Sequence, residues 1–166
     1  MKRIPLSRGL FALVDDDDYE RVSQFTWYAV PKEHQFYACN GGKAGGDGRA
    51  KSRKRIYLHQ FILGAKWVDH KNGDPLDCRK ENLRSATMLQ NSFNRCQKRS
   101  SKAPYKGIHL RKKDGKWVAN CGPNGPGRKW LGSFNTPLEA AFAYDRTARE
   151  MYGEFARPNF GEGELL

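Results

Sequence analysis

The apolar positions of this chain come in short runs separated by polar turns, and the first runs lie near the N-terminus. Residues 10–14 form an apolar run of strand length, and the four aspartates after it can cap a short helix over 19–25. Two more runs, 26–30 and 36–39, are joined by a polar turn and predict paired strands. We therefore expect a β-rich N-terminal extension over 1–54.

The second group of runs contains strand, turn and helix signals close together. Residues 67–70 are strand-like, and the Asn-Gly-Asp-Pro sequence at 72–75 is a strong turn signal. Thr87 followed by Gln90 has the form of a capping box, which predicts a helix over 88–96.

The C-terminal runs predict a small sheet followed by one long helix. After a polar, basic linker over 97–104, three strand-like stretches are joined by turns that contain glycine. A threonine, a proline and a glutamate then open a helix that ends at a glycine. The predicted strands cover 107–111, 116–121 and 129–134, and the helix covers 136–152.

Charge narrows the choice of partner. Thirty Lys and Arg against 18 Asp and Glu give a formal net charge of +12 on 166 residues. A charge this large indicates a polyanionic partner, and together with the aromatic content it favours nucleic acid. The chain has no apolar run of transmembrane length and its N-terminus lacks the features of a signal peptide, so we expect a cytoplasmic protein without a membrane partner. No protein partner is implied.

Candidate chemistry is concentrated in one region, where Asp69 and His70 are adjacent and Asn82 and Asn91 follow. Cleavage of a phosphodiester needs a nucleophilic water and a cation that stabilises charge on the phosphate. Mg²⁺ prefers oxygen ligands, so Asp69 and the amide oxygen of Asn91 are candidate ligands, with Asn94 as a possible substitute for Asn91. His70 is the candidate general base, because the ordinary pKa of histidine lies near neutrality. Asn82 would hold the loop after His70 by hydrogen bonds.

Five motifs occur together in this region: Leu58-His59, Val68 to Gly73, Leu76-Asp77, Glu81 to Arg84 and Gln90 to Asn94. Together they resemble the HNH endonucleases, most closely the free-standing homing type common in phages and bacteria. The resemblance implies a ββα-metal (His-Me finger) core over 55–96, with His70 as general base and Asn82 as the central asparagine. It also implies one Mg²⁺ or Mn²⁺ ion on Asp69 and Asn91. Because several relatives carry histidine where Asn91 stands, asparagine favours these metals over zinc.

Two basic or aromatic features have alternative interpretations. The cluster 49–55, which includes Arg53 and Arg55, is either a solvated loop or a loop that contacts phosphates. His59 has either a structural role or a phosphate contact.

Other candidate metal ligands are excluded. The four cysteines are far apart, form no C-x-x-C pair and are not completed by histidines, so we expect reduced thiols and no structural zinc. Asp77 is expected to pair with Arg79 or Arg84 rather than to bind a metal.

The C-terminal segment carries its own motifs: Tyr105 to Ile108, Gly115 to Ala119, Trp130 to Phe134, Glu139 to Ala141, Ala143 to Asp145 and Asn159-Phe160. They resemble the DNA-binding domain of plant ethylene-response factors, the AP-two type, which also occurs fused behind HNH nucleases. The resemblance implies a domain over 105–160 whose three-stranded antiparallel sheet, backed by one helix, lies in the major groove of DNA.

Basic and aromatic side chains of this domain are candidate contacts to phosphates and base edges. Strand alternation means that not all of them face DNA, and either Trp117 or Trp130 could belong to the core. The plant domains usually have an acidic residue where Asn120 stands, so their sequence preference cannot be transferred to this chain. The candidates are Lys106, Arg111, Lys112, Trp117, Arg128, Lys129 and Trp130.

The sequence thus predicts an α+β protein that hydrolyses phosphodiester bonds of double-stranded DNA with a divalent metal. The alternative is a sequence-specific DNA-binding regulator with an inactive nuclease remnant. An RNA partner is disfavoured, because the major groove of A-form RNA is too narrow for a sheet.

Overall fold

A computed structural model describes residues 1–32, 34–41, 55–95, 102–123 and 127–161 of the chain. The architecture is α+β, with small antiparallel sheets and short helices. The chain divides into two compact units, Met1–Asn91 and Ser92–Leu166, here called unit 1 and unit 2. Arg53 and most of the predicted linker lie outside the described residues.

Unit 1 begins with an antiparallel hairpin that the sequence prediction recognised only in its second strand. The first strand has one buried residue, Ile4, so its apolar pattern is weak. A three-stranded antiparallel sheet follows, in which β4 is central. The strands are β1 (Lys2–Pro5), β2 (Phe11–Val14), β3 (Tyr28–Lys32), β4 (Gln35–Asn40) and β5 (Ile56–Tyr57).

Of the first two helices of unit 1, the first differs from its sequence prediction and the second was not predicted. Helix α1 (Asp16–Ser23) starts earlier than predicted, because three of the aspartates form its first turn. Acidic side chains there interact favourably with the positive end of the helix dipole. The apolar run at 56–63 divides into strand β5 and helix α2 (Leu58–Leu63). Helix α2 ends at Gly64, whose φ of 66° is a left-handed conformation that glycine adopts without strain.

The remaining elements of unit 1 form a strand pair followed by a helix. Strands β6 (Val68–His70) and β7 (Leu83–Ser85) pair antiparallel, and α3 (Met88–Phe93) comes next in the chain. Helix α3 begins where the capping box predicts, although it ends before the predicted limit at residue 96.

One hydrophobic core joins the N-terminal hairpin to the region of β6 and β7. Its buried members include Ile4 and Val14 from the hairpin, Leu58 from α2, and Val68 and Leu83 from the strand pair. Residues of the predicted extension and of the predicted nuclease core therefore bury their apolar surface against each other, and about 25 cal/mol per Å² of that surface favours folding.

The loop between β6 and β7 is also fixed to the hairpin by backbone hydrogen bonds. The Leu13 N–H donates to the Leu76 carbonyl (2.8 Å), and the Cys78 N–H donates to the Leu13 carbonyl (2.9 Å). The Lys80 N–H donates to the Asp15 carboxylate (2.7 Å). The N-terminal hairpin thus positions the loop that follows His70.

In unit 2 the strand prediction is confirmed closely. Strands β8 (Ile108–Arg111), β9 (Lys116–Cys121) and β10 (Lys129–Phe134) form one antiparallel sheet with β9 in the centre. Helix α4 (Pro137–Tyr152) follows, and its capping box between Thr136 and Glu139 is formed as predicted. The helix ends at Gly153, as predicted.

Helix α4 lies close to one face of this sheet because small residues line its inner side. Ala140, Ala141 and Ala148 are fully buried there, and Tyr144 is buried beside them. Gly107 has a φ of 81°, and a Cβ atom at this position would collide with the Tyr144 ring. Glycine is therefore required at the start of β8 for both its backbone conformation and its missing side chain.

A buried carboxylate attaches the C-terminal segment to α4. Asp145 accepts hydrogen bonds from the Asn159 N–H (2.8 Å), the Asn159 side-chain amide (2.8 Å) and the Phe160 N–H (2.9 Å). The Asn159 Oδ1 in turn accepts from the Lys106 N–H (2.7 Å). This network satisfies a charge that would otherwise be costly to bury.

Within the described ranges, no helix combines the length and the apolar composition needed to cross a membrane.

Candidate active site and nucleic-acid face

The strand pair β6–β7 carries the acid and the histidine that the sequence singled out. In the register of this pair, Asp69 stands opposite Arg84 and His70 opposite Leu83. Asp69 is 3% exposed and His70 is 7% exposed. Two ionisable residues that follow one another in the strand are thus both buried, and such groups need specific partners.

Asp69 has a charged partner that the sequence did not assign to it. The Nε and Nη2 atoms of Arg84 contact its Oδ2 at 2.8 and 2.6 Å, and the Arg84 side chain is only 10% exposed. Asp77, for which Arg79 and Arg84 were the two predicted partners, pairs with Arg79 through Nε and Nη2, each at 2.8 Å. The ion pair predicted for Asp77 is therefore confirmed with Arg79, and Arg84 belongs to Asp69.

Asn82 links both ends of the loop between β6 and β7. Its Oδ1 accepts from the Asn72 N–H (2.9 Å), and its side-chain amide donates to the Asp77 carbonyl (2.8 Å). Its carbonyl accepts from the Lys71 N–H (2.9 Å). These are the hydrogen bonds predicted for a residue that holds the loop after His70, while its part in catalysis stays a prediction.

The imidazole of His70 lies among aromatic rings. The His59 ring is edge to face with it, with centroids 4.9 Å apart and planes at 83°. The Tyr37 ring is also edge-on, at 6.4 Å. The ring environment of His70 is therefore contributed by α2 and β4, two elements outside the strand pair.

Burial controls the protonation of both histidines. It lowers the pKa of His70 to about 4, although the negative charges of Asp69, Asp74 and Asp77 oppose the shift. Burial, with smaller contributions from His70 and Lys32, lowers the pKa of His59 to about 3. At neutral pH both rings are uncharged, and an uncharged imidazole has the lone pair that a general base needs.

Asn91 is presented by α3, whose start is fixed by a reciprocal cap. The Gln90 N–H donates to Thr87 Oγ1 (3.1 Å), and the Thr87 N–H donates to Gln90 Oε1 (2.8 Å). Asn91 is half-buried in the second turn, where its N–H donates to the Thr87 carbonyl. Asn94, the predicted substitute, lies beyond the end of the helix.

The donor atoms available here suit a hard cation. No three His, Cys, Asp or Glu side chains gather as a metal cluster in the described part of the chain. A carboxylate from Asp69 and an amide oxygen from Asn91 would leave most coordination positions to water, which is how Mg²⁺ is usually bound. By chemical type these two oxygen donors suit a hard cation such as Mg²⁺, and Arg84 already contacts Asp69 Oδ2.

Unit 2 exposes the face of its sheet that is opposite α4. Ile108 and Ala119 pack on the helix side, so alternation places His109 and Asn120 on the open side. Trp130 pairs with Asn120 across β9 and β10 and is 62% exposed. Together with Arg111, Val118 and Arg128 these residues form one shallow surface, which we call the open face.

The open face distinguishes among the DNA contacts proposed from the sequence. Trp130 lies on it, whereas Trp117 packs with the core on the α4 side, which answers the question left open for the two tryptophans. Arg128 is exposed on it, and Arg111 shares its edge while paired with Asp114.

Three lysines and one arginine among the predicted contacts are placed elsewhere. Lys106 donates through Nζ to the Phe93 carbonyl (2.6 Å) and the Arg157 carbonyl (3.3 Å), so its ammonium group has a structural role in unit 2. Lys129 pairs with Cys121 in register, which places it on the α4 side. Lys112 is exposed in the turn after β8, and Arg55 is exposed before β5.

His109 and Asn120 were not among the predicted contacts, yet both belong to the open face. Alternation counted from the buried Ala119 and Cys121 would have identified Asn120 from the sequence, because every second residue of β9 faces away from the helix.

Comparison with known proteins gives similarities in two parts of the chain. Residues 64–93 match the family model described as HNH endonuclease. An uncharacterised HNH endonuclease of Acanthamoeba polyphaga mimivirus is 29% identical over 157 residues, which cover 92% of this chain and 76% of the viral protein.

The other similarities are to plant proteins. A dehydration-responsive element-binding protein 2A of Oryza sativa subsp. indica is 53% identical over 64 residues, or 38% of this chain and 23% of the rice protein. An ethylene-responsive transcription factor of Arabidopsis thaliana is 53% identical over 60 residues, or 36% of this chain and 32% of the plant protein. The chain thus spans less than a third of these relatives. The similarities support an HNH-type region and a second domain like that of the plant factors.

Proposed function

We propose that the protein is a metal-dependent endonuclease that hydrolyses phosphodiester bonds of double-stranded DNA. The observation that carries the proposal is the buried, uncharged His70 beside Asp69, inside the segment that matches the HNH endonucleases. Strands β6 and β7 and helix α3 follow one another in the order of a ββα unit, which supports the ββα-metal core expected from the sequence.

In the proposed reaction His70 removes a proton from the attacking water. The water oxygen then bonds to phosphorus, and the bond from phosphorus to the 3′ oxygen breaks. The leaving 3′ oxygen takes a proton from a water molecule, so the products are a 3′-hydroxyl and a 5′-phosphate. A divalent cation held by Asp69 and Asn91 would supply positive charge at the phosphate and at the leaving oxygen. The hydrogen bonds of Asn82 keep the loop after His70 in place.

Arg84 has a supporting role in this proposal. Its two contacts to Asp69 Oδ2 fix the carboxylate and offset its charge before a cation arrives. A carboxylate that is already paired with arginine binds a cation more weakly than a free one. We therefore expect Mg²⁺ to bind more tightly when DNA is present, because a DNA phosphate can supply a further ligand.

The open face of unit 2 is the proposed DNA-reading surface. It combines Arg128 as a source of phosphate or guanine contacts, Asn120 as a side chain that pairs with adenine edges, and Trp130 as an apolar contact. A two-stranded or three-stranded antiparallel ribbon fits the major groove of B-DNA. The similarity to the plant factors supports this assignment.

The proposal is tested by cleavage of supercoiled plasmid and phage DNA. Wild-type protein is incubated with Mg²⁺ or Mn²⁺, with EDTA as the metal-free control. His70→Ala is compared with His34→Ala, which removes an exposed histidine of the same unit. We expect His70→Ala to lower cleavage by roughly 10²–10⁴-fold with DNA affinity retained, since this is the usual contribution of a general base. Equal cleavage by the two variants would refute the role of His70.

The ion pair between Asp69 and Arg84 favours a second candidate, a DNA-binding regulator with an inactive nuclease remnant, because the carboxylate has a partner without any metal. The presence of Asp69, His70, Asn82 and Asn91 together weighs against loss of the site. Tight, sequence-specific binding without cleavage at the bound sequence, in either metal, is the result that this candidate predicts.

A further inference from the structure

His59 lies at the centre of an aromatic cluster that ends at His70. Its ring stacks on Tyr57, with centroids 5.5 Å apart and planes at 15°, and it is edge-on to Tyr37 at 6.0 Å. On its remaining side it contacts His70 edge to face at 4.9 Å. The rings of Tyr57 on β5, His59 on α2 and His70 on β6 are therefore in contact one after the other.

Of the two roles that the sequence left open for His59, the structure favours the structural one, because other rings enclose the imidazole. It is 7% exposed and contacts the rings of Tyr57, Tyr37 and His70. Leu58 and Ile62 of the same helix are buried in the core of unit 1, which anchors α2. This environment favours a structural or positioning role for His59.

The imidazole of His59 has an energetic cost that a phenyl ring at this position would not have. Its Nδ1 is buried and makes no hydrogen bond with any of the residues that the structure describes. A buried polar atom left in this state costs about 1–3 kcal/mol. Burial also keeps the ring neutral by lowering its pKa to about 3, so no ion pair compensates the cost. A phenyl ring would fill the same space without this cost.

We infer that His59 is a positioning residue that holds the His70 imidazole in one ring orientation and one tautomer; this rests on the proposed role of His70 as the base. An edge-to-face contact is favourable when a hydrogen-bearing edge of one ring meets the π face of the other. The contact therefore selects both the angle between the rings and the nitrogen that carries the proton. A base with a fixed tautomer presents its lone pair in a constant direction, which is what proton abstraction requires.

The test uses the full-length protein, selectively labelled with ¹⁵N-histidine, and two variants. His59→Phe keeps an aromatic ring of similar size but removes both nitrogens. Tyr57→Phe keeps the stacked ring and serves as the matched control. The His70 ring nitrogens report the tautomer, and single-turnover cleavage and DNA affinity are measured on the same samples.

We expect His70 to show a single tautomer in the wild type and in Tyr57→Phe, and averaged nitrogen shifts in His59→Phe. Cleavage by His59→Phe should fall by about ten-fold or more, a loss typical of a misoriented catalytic group, with DNA affinity unchanged. An unchanged His70 tautomer and cleavage rate in folded His59→Phe would overturn the inference. A loss confined to DNA affinity would also overturn it, because that result identifies a phosphate contact.

If His59→Phe does not fold, the wild-type spectrum decides the question. A single His70 tautomer with nuclear Overhauser contacts to the His59 ring supports the inference, and an averaged tautomer overturns it. The outcome is separable from the proposed function: cleavage that persists in His70→Ala refutes the nuclease role of His70, whereas the tautomer measurement reads the contact between the two rings directly.

Discussion

At the scale of single residues, Asp69 and Arg84 place opposite charges where little water reaches either group. Breaking a buried ion pair by removing one partner costs about 3–5 kcal/mol. We therefore expect Arg84→Met to lower the free energy of unfolding by about that amount, measured by urea denaturation with tryptophan fluorescence.

The matched control for this prediction is Lys80→Met. Asp18 loses the Lys80 ammonium in that variant but keeps Arg21, which donates to it through Nε and Nη2. Because Arg21 still compensates the Asp18 carboxylate, the loss should be clearly smaller than in Arg84→Met. Equal destabilisation by the two variants would contradict the importance given to the Asp69–Arg84 pair.

His59 gives the stability of the protein a defined dependence on pH. Its pKa is about 3 in the folded protein and has the ordinary value of 6.5 once the chain unfolds. The unfolded state therefore binds the proton first as the pH falls, so the stabilisation is complete above pH 6.5 and declines between pH 6.5 and about 3.

The size of this decline can be measured against a variant that does not titrate at this position. At about 1.4 kcal/mol per pH unit, the wild type should lose about 2 kcal/mol more than His59→Phe between pH 7 and pH 5. Parallel stability curves for the two proteins over this interval would show that His59 titrates normally and is not buried as described.

The sequence predicted the contacts that depend on neighbours in the chain. The side chain of Asn82 makes the expected hydrogen bonds to the loop that follows His70, while the catalytic roles of Asp69, His70 and Asn82 stay predictions. The pairing of Arg84 with Asp69 was missed, because it depends on the register between β6 and β7. The contact between His59 and His70 requires the placement of α2 beside β6, which residue types do not encode locally.

At the scale of elements, two capping boxes in the same protein have different expected consequences. Thr87 caps α3, a six-residue helix that presents Asn91, whereas Thr136 caps the sixteen-residue α4. Loss of either cap should cost about 1 kcal/mol of helix stability. For α3 this cost should fray the helix and weaken the binding of Mn²⁺, because Asn91 is in its second turn.

Thr87→Ala and Thr136→Ala form the matched pair for this prediction. Manganese affinity, read by electron paramagnetic resonance in the presence of uncleaved DNA, should fall several-fold, on the order of the free energy of one cap, in Thr87→Ala only. An equal loss in Thr136→Ala, or none in either variant, would mean that α3 does not present a metal ligand.

Elements whose two ends are marked by turn or capping residues in the sequence were predicted well. Elements whose limits depend on pairing with a distant strand were not. Strands β9 and β10 have the predicted limits, because glycine-containing turns and alternating residues mark both ends. The apolar run at 56–63 is too short to distinguish the two-residue repeat of a strand from the 3.6-residue repeat of a helix. Its first two residues pair with β4 and the remaining six form α2. The division therefore depends on the pairing with β4, which the local sequence does not specify.

At the scale of the whole molecule, the net charge of +12 predicts DNA binding that weakens steeply with salt. Each phosphate contact contributes about 0.9 to the slope of log K against log salt concentration for duplex DNA. Arg128→Ala, on the open face, should reduce the slope by about that value. Arg146→Ala removes the same charge from an exposed position of α4 and should leave the slope unchanged, since α4 covers the opposite face of the sheet.

The two variants have equal net charge, so a difference between them reports position rather than total charge. Equal slopes would show that the open face is not the surface that meets the DNA backbone. Binding to a randomised duplex library would then identify the bases read next to Asn120, for which adenine is the expected partner.

The proposed role of His70 as the base of a DNA-cleaving site can be tested in a single kinetic experiment. Single-turnover cleavage of an end-labelled duplex in Mn²⁺ is compared for the wild type and His70→Ala at protein concentrations that saturate the DNA. We expect a metal-dependent cut with a 5′-phosphate, and a rate at least about 10²-fold lower in the variant at equal DNA affinity. Cleavage at the wild-type rate by His70→Ala would contradict this role.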